Sequence, residues 1–459
     1  MDRIKDKISF GTDGWRGIIA DTYTIENVEI VSQAVADYLG PGKKVAIGFD
    51  SRFMSERFAL AAANIISHNG IKVLLSDRII PTPTLSFTVK NKKCDLGIMI
   101  TASHNPFIYN GFKIKVASGG AADIALTKKI ERLLYKNPPR RKGAGDIKVE
   151  NFVKDYCRFV RSYIDLGKIR QHRFRVAVDA MYGSGDSFIA DILIGTKIKL
   201  DFLRNTFNPG FDRIAPEPIE KNLTPLILKL KKEDFDLGIA LDGDADRIAG
   251  VAAGGVFIHP QKILGLLILH LHQDRGWSGG VVKTVCGTNL INNITRRLGL
   301  PLYETPVGFK YISDLMVNKD ILAGGEEAGG IGVKNYIPER DGTMVGLLLL
   351  EMMAYRKKNI IVILNEMERE FGRYYYLRES VELKEKIKIE GKKIPLFLDG
   401  KKVVEVNRLD GLKFICEDES WLMVRASGTE PIVRLYAEAK ELQRAKELIA
   451  IGRRFIAKA

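Results

Sequence analysis

Three aspartates alternate with other residues near the middle of the chain, and their spacing is the strongest chemical signal in the sequence. The stretch reads DGDADR and contains Asp242, Asp244 and Asp246. Carboxylates this close repel one another unless a cation neutralises them, and oxygen ligands suit Mg²⁺ or Ca²⁺. An EF-hand loop begins similarly, but it requires glycine at its sixth position and glutamate at its twelfth, where this chain has Arg247 and Ala253. The stretch predicts a divalent metal site of another kind; the alternative is an acidic turn without metal.

A serine in a polar turn is the second candidate. The stretch MITASHNPFIYNGFK places Ser103 directly before His104, with Lys113 further along. A phosphoryl group on the serine would bear about −1.5 to −2 charges and would be a natural further ligand for the metal, while Arg247 beside the triad suits a phosphate. His104 and Lys113 could then move the proton of a sugar hydroxyl. The alternative is a capping serine, a solvated histidine and a surface lysine.

Three further polar loops contain groups that could bind anions or hydroxyls. FGTDGWRG includes Arg16 and could bring backbone N–H groups near an anion. GGEEAGG offers Glu326 and Glu327 as acceptors for sugar hydroxyls. RASGTEP has the composition of a phosphate cradle, with Arg425, Ser427, Gly428 and Thr429. Read singly, each loop could equally be an ordinary turn with solvated side chains.

The elements around these loops follow an alternating pattern. Apolar runs that read as buried strands end in polar loops, as in KVAIGFDSR, CDLGIMITASHNP, RVAVDAMYGSG, FDLGIALDGDADR and ILAGGEEAGG. Segments with helical spacing, such as IENVEIVSQAVADYLG, lie between them and end in glycine, a common helix stop. Strand, loop and helix in alternation predict α/β units with largely parallel sheets. In open α/β sheets the loops at the carboxyl ends of strands bind ligands, so each polar loop is suitably located.

Composition shifts predict the domain boundaries. The basic, Pro- and Gly-rich segment YKNPPRRKGAGD, the glycines of AAGGV near Gly254 and the segment EFGRYYYLRES are the candidate joins. They divide the chain into α/β domains over residues 1–143, 144–254 and 255–370 and a smaller α+β domain over 371–459.

Charge and cysteine content limit the class of protein. The 459 residues carry a net charge of +15, from 71 Lys+Arg and 56 Asp+Glu, which favours anionic partners. No C2H2, RNP or basic-zipper pattern supports nucleic-acid binding, and the apolar stretches are too short and interrupted for a bilayer. The four cysteines form no CxxC pair, and the N-terminal residues lack the apolar core of a signal peptide, so we expect a cytoplasmic protein.

Taken in order, the five loops resemble those of the α-D-phosphohexomutase family, the phosphoglucomutases and phosphomannomutases. The resemblance implies three related α/β domains with mixed, largely parallel sheets and a C-terminal α+β domain, arranged around a central cleft. It implies an intramolecular phosphotransferase that interconverts hexose 1-phosphate and hexose 6-phosphate. Such an enzyme would use a phosphoserine, Mg²⁺ and a hexose 1,6-bisphosphate as intermediate and activator. Its partners would be small hexose phosphates, and it would be a monomer or homodimer.

The resemblance also assigns roles to residues. Ser103 would be the phosphoserine, and its phosphate would hold Mg²⁺ together with Asp242, Asp244 and Asp246. Lys113 would be the general base, supported by His104, with Arg16 and Arg247 near the phosphoserine. Glu326 and Glu327 would face sugar hydroxyls. The substrate phosphate would be held by Arg425, Ser427, Gly428, Thr429 and Arg434.

The sugar loop departs from the family pattern. It often reads G-E-x-S-G in the family, whereas here Ala328 replaces the serine and Gly330 stands where some members have histidine. Glu327 resembles the phosphoglucomutase type, and glutamine there would indicate a phosphoglucosamine mutase. We therefore rank glucose phosphate first, mannose phosphate second and glucosamine phosphate third. Outside the family, the alternatives are a metal-dependent phosphohydrolase and a non-catalytic sugar-phosphate sensor or nucleic-acid binder.

Overall fold

The computed structural model forms two compact units. It describes residues 8–11, 13–185, 188–387, 389, 394–426 and 431–457. The first unit comprises Met1–Ser278 and Gly308–Ile363, and the second comprises Gly279–Val307 and Leu364–Ala459. Both units therefore combine segments that are distant in the sequence.

A six-stranded mixed sheet opens the first unit. Its strands are β1 (Trp15–Ile18), β2 (Lys44–Phe49), β3 (Lys72–Ser76), β4 (Leu96–Ile100), β5 (Tyr109–Val116) and β6 (Ile147–Glu150), in the order β1-β5-β4-β2-β3-β6. The accompanying helices are α1 (Ile25–Leu39), α2 (Ser55–His68), α3 (Thr82–Asn91) and α4 (Ile124–Leu133). Strands β4, β2, β3 and β6 are parallel, whereas β5 and β1 are antiparallel additions.

Local sequence explains these elements. Strand β2, KVAIGF, is buried in all but its first residue, which is typical of a parallel strand covered on both faces. Helix α1 begins after Thr24, whose hydroxyl accepts a hydrogen bond from Asn27 N at 3.2 Å. It ends at Gly40, whose φ of 74° suits a residue without a side chain. The helices bury an apolar core against the sheet.

A five-stranded sheet follows in the same unit. Its strands are β7 (Arg175–Asp179), β8 (Lys199–Leu203), β9 (Leu237–Leu241), β10 (Ile248–Ala252) and β11 (Val256–Ile258), in the order β11-β10-β9-β7-β8. The helices in this part of the chain are α5 (Phe152–Tyr163), α6 (Leu166–Ile169), α7 (Phe188–Leu193), α8 (Thr224–Lys232) and α9 (Pro260–Leu269). Strands β9, β7 and β8 are parallel, and β10 and β11 extend the sheet antiparallel.

The next elements belong alternately to the two units. The second unit contains β12 (Gly280–Thr284), α10 (Asn289–Leu298) and β13 (Leu302–Thr305), with the two strands parallel. The first unit contains α11 (Phe309–Asn318), the antiparallel strands β14 (Ile321–Gly325) and β15 (Ile331–Val333), and α12 (Gly342–Arg356). Helix α13 (Ile360–Phe371) contains the division between the units.

An antiparallel sheet dominates the second unit. Its strands are β16 (Tyr375–Glu382), β17 (Phe397–Leu398), β18 (Lys401–Asn407), β19 (Leu412–Cys416), β20 (Trp421–Ala426) and β21 (Ile432–Ala439), in the order β16-β21-β20-β19-β18-β17. Helix α14 (Leu442–Ala457) covers the sheet through an apolar core. Strands followed by one helix make this region α+β.

The predicted fold class is confirmed. The glycines of AAGGV lie in the turn between β10 and β11, which pair in one sheet. The first sheet continues beyond residue 143, because β6 pairs with β3. The bounds of the four predicted domains stay predictions. The stretches ILGLLILHLH and VGLLLLEMMAY lie in buried helical segments, and the described helices include none with the length and hydropathy that crossing a bilayer requires.

Candidate active site

The serine loop begins where β4 ends and lies beside the aspartate loop. Ser103 is buried, and its Oγ donates a hydrogen bond to Asp242 Oδ2 at 2.8 Å. Its backbone N–H donates to Thr101 Oγ1 at 2.9 Å. Its φ of 52° lies in the left-handed region, which is uncommon for a residue with a side chain. The two strongest sequence candidates are therefore brought into direct contact.

The aspartate loop follows β9 and packs tightly on the serine loop. A side chain at Gly243 would have its Cβ 2.4 Å from the carbonyl oxygen of Ser103, so only glycine permits this approach. Thr82, the first residue of α3, donates its hydroxyl to Asp244 Oδ2 at 2.5 Å and its backbone N–H to the carbonyl oxygen of Asp244 at 3.0 Å. These contacts fix the aspartate loop against the serine loop and the start of α3.

The carboxylates of this loop fit a hard divalent cation. Asp242, Asp244 and Asp246 are fully buried, and they offer ligand oxygens that lie within 4.8 Å of one another. Among the described residues, Asp244 Oδ1 and Asp246 Oδ1 have no hydrogen-bond partner. Burial and the two neighbouring carboxylates raise the pKa of Asp242 well above its ordinary value. Three buried carboxylates need additional positive charge nearby to be ionised together. Mg²⁺ would supply this charge, since carboxylate oxygens are among its ligands.

Lys113 lies among the acidic groups. Its Nζ is 2.8 Å from Asp244 Oδ2 and 2.9 Å from both Asp246 Oδ2 and Asp13 Oδ2. Burial alone would lower the pKa of Lys113, but the three carboxylates outweigh burial and raise it above the ordinary value. In this arrangement the lysine is a charge-neutralising ammonium. Its predicted role as general base stays a prediction.

The other residues predicted near the phosphoserine surround the same loops. Arg16, on β1, donates from Nη1 to Asn105 Oδ1 at 2.5 Å, next to the serine. His104 has its Nδ1 3.4 Å from Ser103 Oγ. Arg247 donates its backbone N–H to Asp242 Oδ1 at 3.0 Å, and its side chain is largely buried. The structure thus brings Arg16, His104 and Arg247 together with the serine and the triad.

Arg340 is a site residue that the sequence interpretation missed. Its Nη2 is 2.7 Å from both Asp246 Oδ2 and Asp13 Oδ2, and its Nη1 is 3.0 Å from Glu326 Oε2. It links the aspartate loop, the loop of Arg16 and the sugar loop by charge-assisted hydrogen bonds. The only sequence signal was the run ERDG before an apolar helix, which equally fits helix capping: Asp341 caps α12.

The sugar loop follows β14, and the glycine at position 330 has a physical explanation. A Cβ at Gly330 would lie 2.1 Å from Arg340 Cδ, so the arginine occupies the space of a side chain at position 330. Glu326 N donates to the Gly330 carbonyl oxygen at 2.9 Å, which closes the loop. Burial raises the pKa of Glu326, opposed by Arg340. Glu327 is also buried.

The predicted phosphate-binding residues lie in the second unit. Arg425 on β20 and Arg434 on β21 are directly opposite each other in the antiparallel register. Like charges at such positions repel, although Asp410 Oδ2 accepts a hydrogen bond from Arg425 Nε at 2.8 Å. An anion would relieve the repulsion. The other predicted members of this cradle, Ser427, Gly428 and Thr429, lie outside the described residues.

Known proteins are similar to this chain over most of its length. Family models match for phosphoglucomutase/phosphomannomutase alpha/beta/alpha domains I, II and III and for the C-terminal domain, over residues 7–141, 154–255, 259–371 and 381–451. A phosphoglucomutase/phosphomannomutase of Thermococcus kodakarensis is 30% identical, over 96% of this chain and 97% of the relative. A probable phosphoglucosamine mutase of Thermococcus gammatolerans is 31% identical, over 98% of both.

A solved structure supports the same assignment. The putative phosphomannomutase of Thermus thermophilus is 33% identical and superposes with a TM-score of 0.89, covering 98% of this chain and 99% of that one. Sequence, fold and site geometry therefore lead to one conclusion: the chain belongs to the phosphoglucomutase/phosphomannomutase family and is a phosphohexomutase, an intramolecular phosphotransferase.

Proposed function

We propose that this phosphohexomutase interconverts hexose 1-phosphate and hexose 6-phosphate through a phosphorylated Ser103 and a hexose 1,6-bisphosphate. Glucose phosphate is the proposed first substrate and mannose phosphate the second. The observation that carries the proposal is the 2.8 Å hydrogen bond from Ser103 Oγ to Asp242 Oδ2, within the carboxylate triad. A serine there can carry a phosphoryl group whose charge a bound cation would neutralise.

The reaction consists of two phosphoryl transfers. In the first, the bond between phosphorus and Ser103 Oγ breaks and Oγ takes up a proton, while phosphorus bonds to the free hydroxyl oxygen of the hexose monophosphate and that hydroxyl gives its proton to the general base. The bisphosphate then turns end over end. In the second transfer, the Ser103 hydroxyl loses its proton and Oγ bonds to the other phosphorus, whose bond to its sugar oxygen breaks, and that sugar oxygen takes up a proton. The net result is an isomerised monophosphate and a restored phosphoserine.

The surrounding residues supply positioning and charge, on which phosphoryl transfer depends. Asp242, Asp244 and Asp246 would hold Mg²⁺ together with the serine phosphate, and the ion would neutralise charge on the transferring group. Arg16, fixed on Asn105 beside the serine, adds a guanidinium suited to phosphate oxygens.

Lys113 is the proposed proton acceptor, and His104 is the second candidate. The carboxylates around Lys113 raise its pKa. The side chain is therefore already protonated at neutral pH, which opposes the acceptance of a further proton. His104, whose Nδ1 is 3.4 Å from Ser103 Oγ, is within reach of the reacting oxygen through a small movement. The pH profiles of Lys113→Met and His104→Asn separate the two, because loss of the base removes the acidic limb of the profile.

The sugar and the remaining phosphate would be held by other loops. Glu326 and Glu327 are proposed to accept hydrogen bonds from sugar hydroxyls. The facing pair Arg425 and Arg434 is proposed to bind the phosphate that is not transferred. Neighbouring hydroxyls and N–H groups of the RASGTEP loop would complete this phosphate site.

Glucosamine phosphate is the alternative substrate. Relatives named probable phosphoglucosamine mutase match this chain as well as one named phosphoglucomutase/phosphomannomutase does. Against it stands Glu327, which resembles the phosphoglucomutase type. Steady-state kinetics with glucose, mannose and glucosamine 1-phosphates, Mg²⁺ and a trace of the matching bisphosphate decide between them by kcat/KM.

The serine requirement is tested in the same assay. Ser103→Ala should abolish turnover, whereas the exposed Ser162→Ala should leave it unchanged. Free phosphate released in proportion to substrate loss would instead indicate a phosphohydrolase. No turnover of any hexose phosphate, or full activity of Ser103→Ala, would refute the proposal.

A further inference from the structure

Arg52 is buried beneath the serine loop and has no role in the chemistry described so far. It follows β2, and its side chain is fully excluded from solvent. Its Nη2 donates to the carbonyl oxygens of Ser103 and Asn105, both at 2.6 Å. Its Nη1 donates to those of Pro106 and Tyr109, both at 3.0 Å. One guanidinium therefore holds four carbonyl groups of the segment that begins at the serine.

A second set of contacts connects Arg52, through Asp50 and Thr101, to the backbone N–H of Ser103. Asp50 Oδ2 lies 3.3 Å from Arg52 Nε and accepts the hydroxyl of Thr101 at 2.6 Å. The same hydroxyl oxygen of Thr101 accepts the backbone N–H of Ser103 at 2.9 Å. The N–H and the C=O of the serine are thus tied to one buried ion pair.

These contacts explain an otherwise unfavourable backbone. Ser103 has a φ of 52°, a conformation that a serine adopts only when its surroundings impose it. Its Oγ points to Asp242 in this conformation, and a change of φ would redirect the side chain. We propose that Arg52 is a positioning residue, which acts through the carbonyl of Ser103 to aim its Oγ at the carboxylate triad.

The chemistry of the contacts requires arginine. Its planar fork presents five N–H donors in a fixed geometry, whereas lysine has a single ammonium that cannot span four carbonyl groups. The guanidinium also faces the ring of Phe211, with its carbon 5.1 Å from the ring centroid. The carbonyl hydrogen bonds and the ring contact together fix the plane of the guanidinium, and this plane determines which carbonyl oxygens the group can hold.

The inference concerns the phosphoserine of the proposed function and rests on it for its kinetic consequences. Arg52→Lys keeps the charge and removes the fork. Because a displacement of about 1 Å can cost about a hundredfold in rate, we expect kcat to fall by about that factor. We expect KM and the equilibrium binding of hexose phosphate to the unphosphorylated enzyme to stay unchanged. Arg57→Lys, on an exposed residue of the neighbouring helix, is the matched control and should behave as wild type.

A structural measurement separates this inference from the proposed function. A crystal structure of Arg52→Lys should show Ser103 out of the left-handed region and its Oγ beyond hydrogen-bond distance from Asp242. This result does not depend on which hexose phosphate is the substrate. If Arg52→Lys does not fold, Thr101→Val serves instead, since it removes the tether on the Ser103 N–H and keeps the arginine. It should also lower kcat with KM unchanged.

Three results would overturn the inference. A folded Arg52→Lys with wild-type kcat would do so, as would a raised KM with unchanged kcat, which would make the arginine a binding residue. An unmoved Ser103 in the variant crystal would do so as well. Absence of mutase activity in the wild type would refute the proposed function, and the crystal comparison would still decide the role of Arg52.

Discussion

Glu351 should be one of the most important charged groups for the stability of the first unit. It lies on α12 with its side chain fully buried. Its two carboxylate oxygens accept from Arg275 Nε at 2.6 Å and Nη2 at 2.5 Å. It also lies 3.0 Å from His270 Nε2 and accepts the backbone N–H of Asp165 at 2.7 Å. Glu351→Gln keeps the size of the side chain and removes its charge.

The size of the effect follows from the pKa of Glu351. Burial raises this pKa, but the hydrogen bonds from His270 and Arg275 outweigh burial and lower it from 4.5 to about 2. Each pKa unit corresponds to about 1.4 kcal/mol, so the carboxylate contributes about 3 kcal/mol to the free energy of unfolding. Because the folded pKa is the lower one, this contribution is complete above about pH 4.5 and is lost as the pH falls towards 2.

Urea unfolding of the two proteins as a function of pH measures this contribution. At about pH 7 we expect Glu351→Gln to lower the free energy of unfolding by about 3 kcal/mol, and the difference should shrink as the pH falls below about 4.5. Glu220→Gln, at an exposed position, should show no difference at any pH. An equal loss at neutral and acidic pH, or no loss at all, would refute the reasoning.

Two further predictions concern the metal site and the second unit. Mg²⁺ at about a hundred times its dissociation constant should stabilise the wild type by about 2.7 kcal/mol, measured by thermal unfolding with a chelator as reference. Asp246→Asn should lose most of this stabilisation. An equal stabilisation of the variant and the wild type by Mg²⁺ would count against metal binding by the triad. Burial lowers the pKa of Lys413 to about 8, beside the ring of Trp421. Since the folded pKa is below the ordinary value of 10.5, the contribution of Lys413 to the free energy of unfolding in urea should rise by about 3 kcal/mol between these two pH values. Lys413→Met should lack this rise, and a rise of the same size in the variant would contradict the prediction.

Much of the fold could be predicted because its signals are local. The apolar runs before the polar loops formed strands β2, β4, β7, β9 and β14, since a strand buried on both faces needs continuous hydrophobic residues. The alternating carboxylates likewise indicated a metal site without any knowledge of their surroundings. The serine, aspartate and sugar loops of the first unit could be predicted as ligand-binding loops because each follows a strand of an α/β sheet.

Contacts between distant segments could not be predicted in the same way. Arg340 lies 94 residues from Asp246 and 327 from Asp13, and no local pattern indicates which of many arginines makes these bonds. Arg52 follows an expected strand, but its four carbonyl partners depend on the path of a separate loop. The raised pKa of Lys113 also required its neighbours to be known.

The most direct test of the account is the fate of the phosphoryl group on Ser103. The enzyme is incubated with glucose 1,6-bisphosphate and Mg²⁺, and peptide mass spectrometry locates the added phosphoryl group before and after a chase with glucose 1-phosphate. The account predicts one phosphoryl group on Ser103, removed by the chase while bisphosphate forms in equal amount. A phosphoryl group on another residue, or a phosphoserine that the chase leaves in place while isomerisation proceeds, would contradict it.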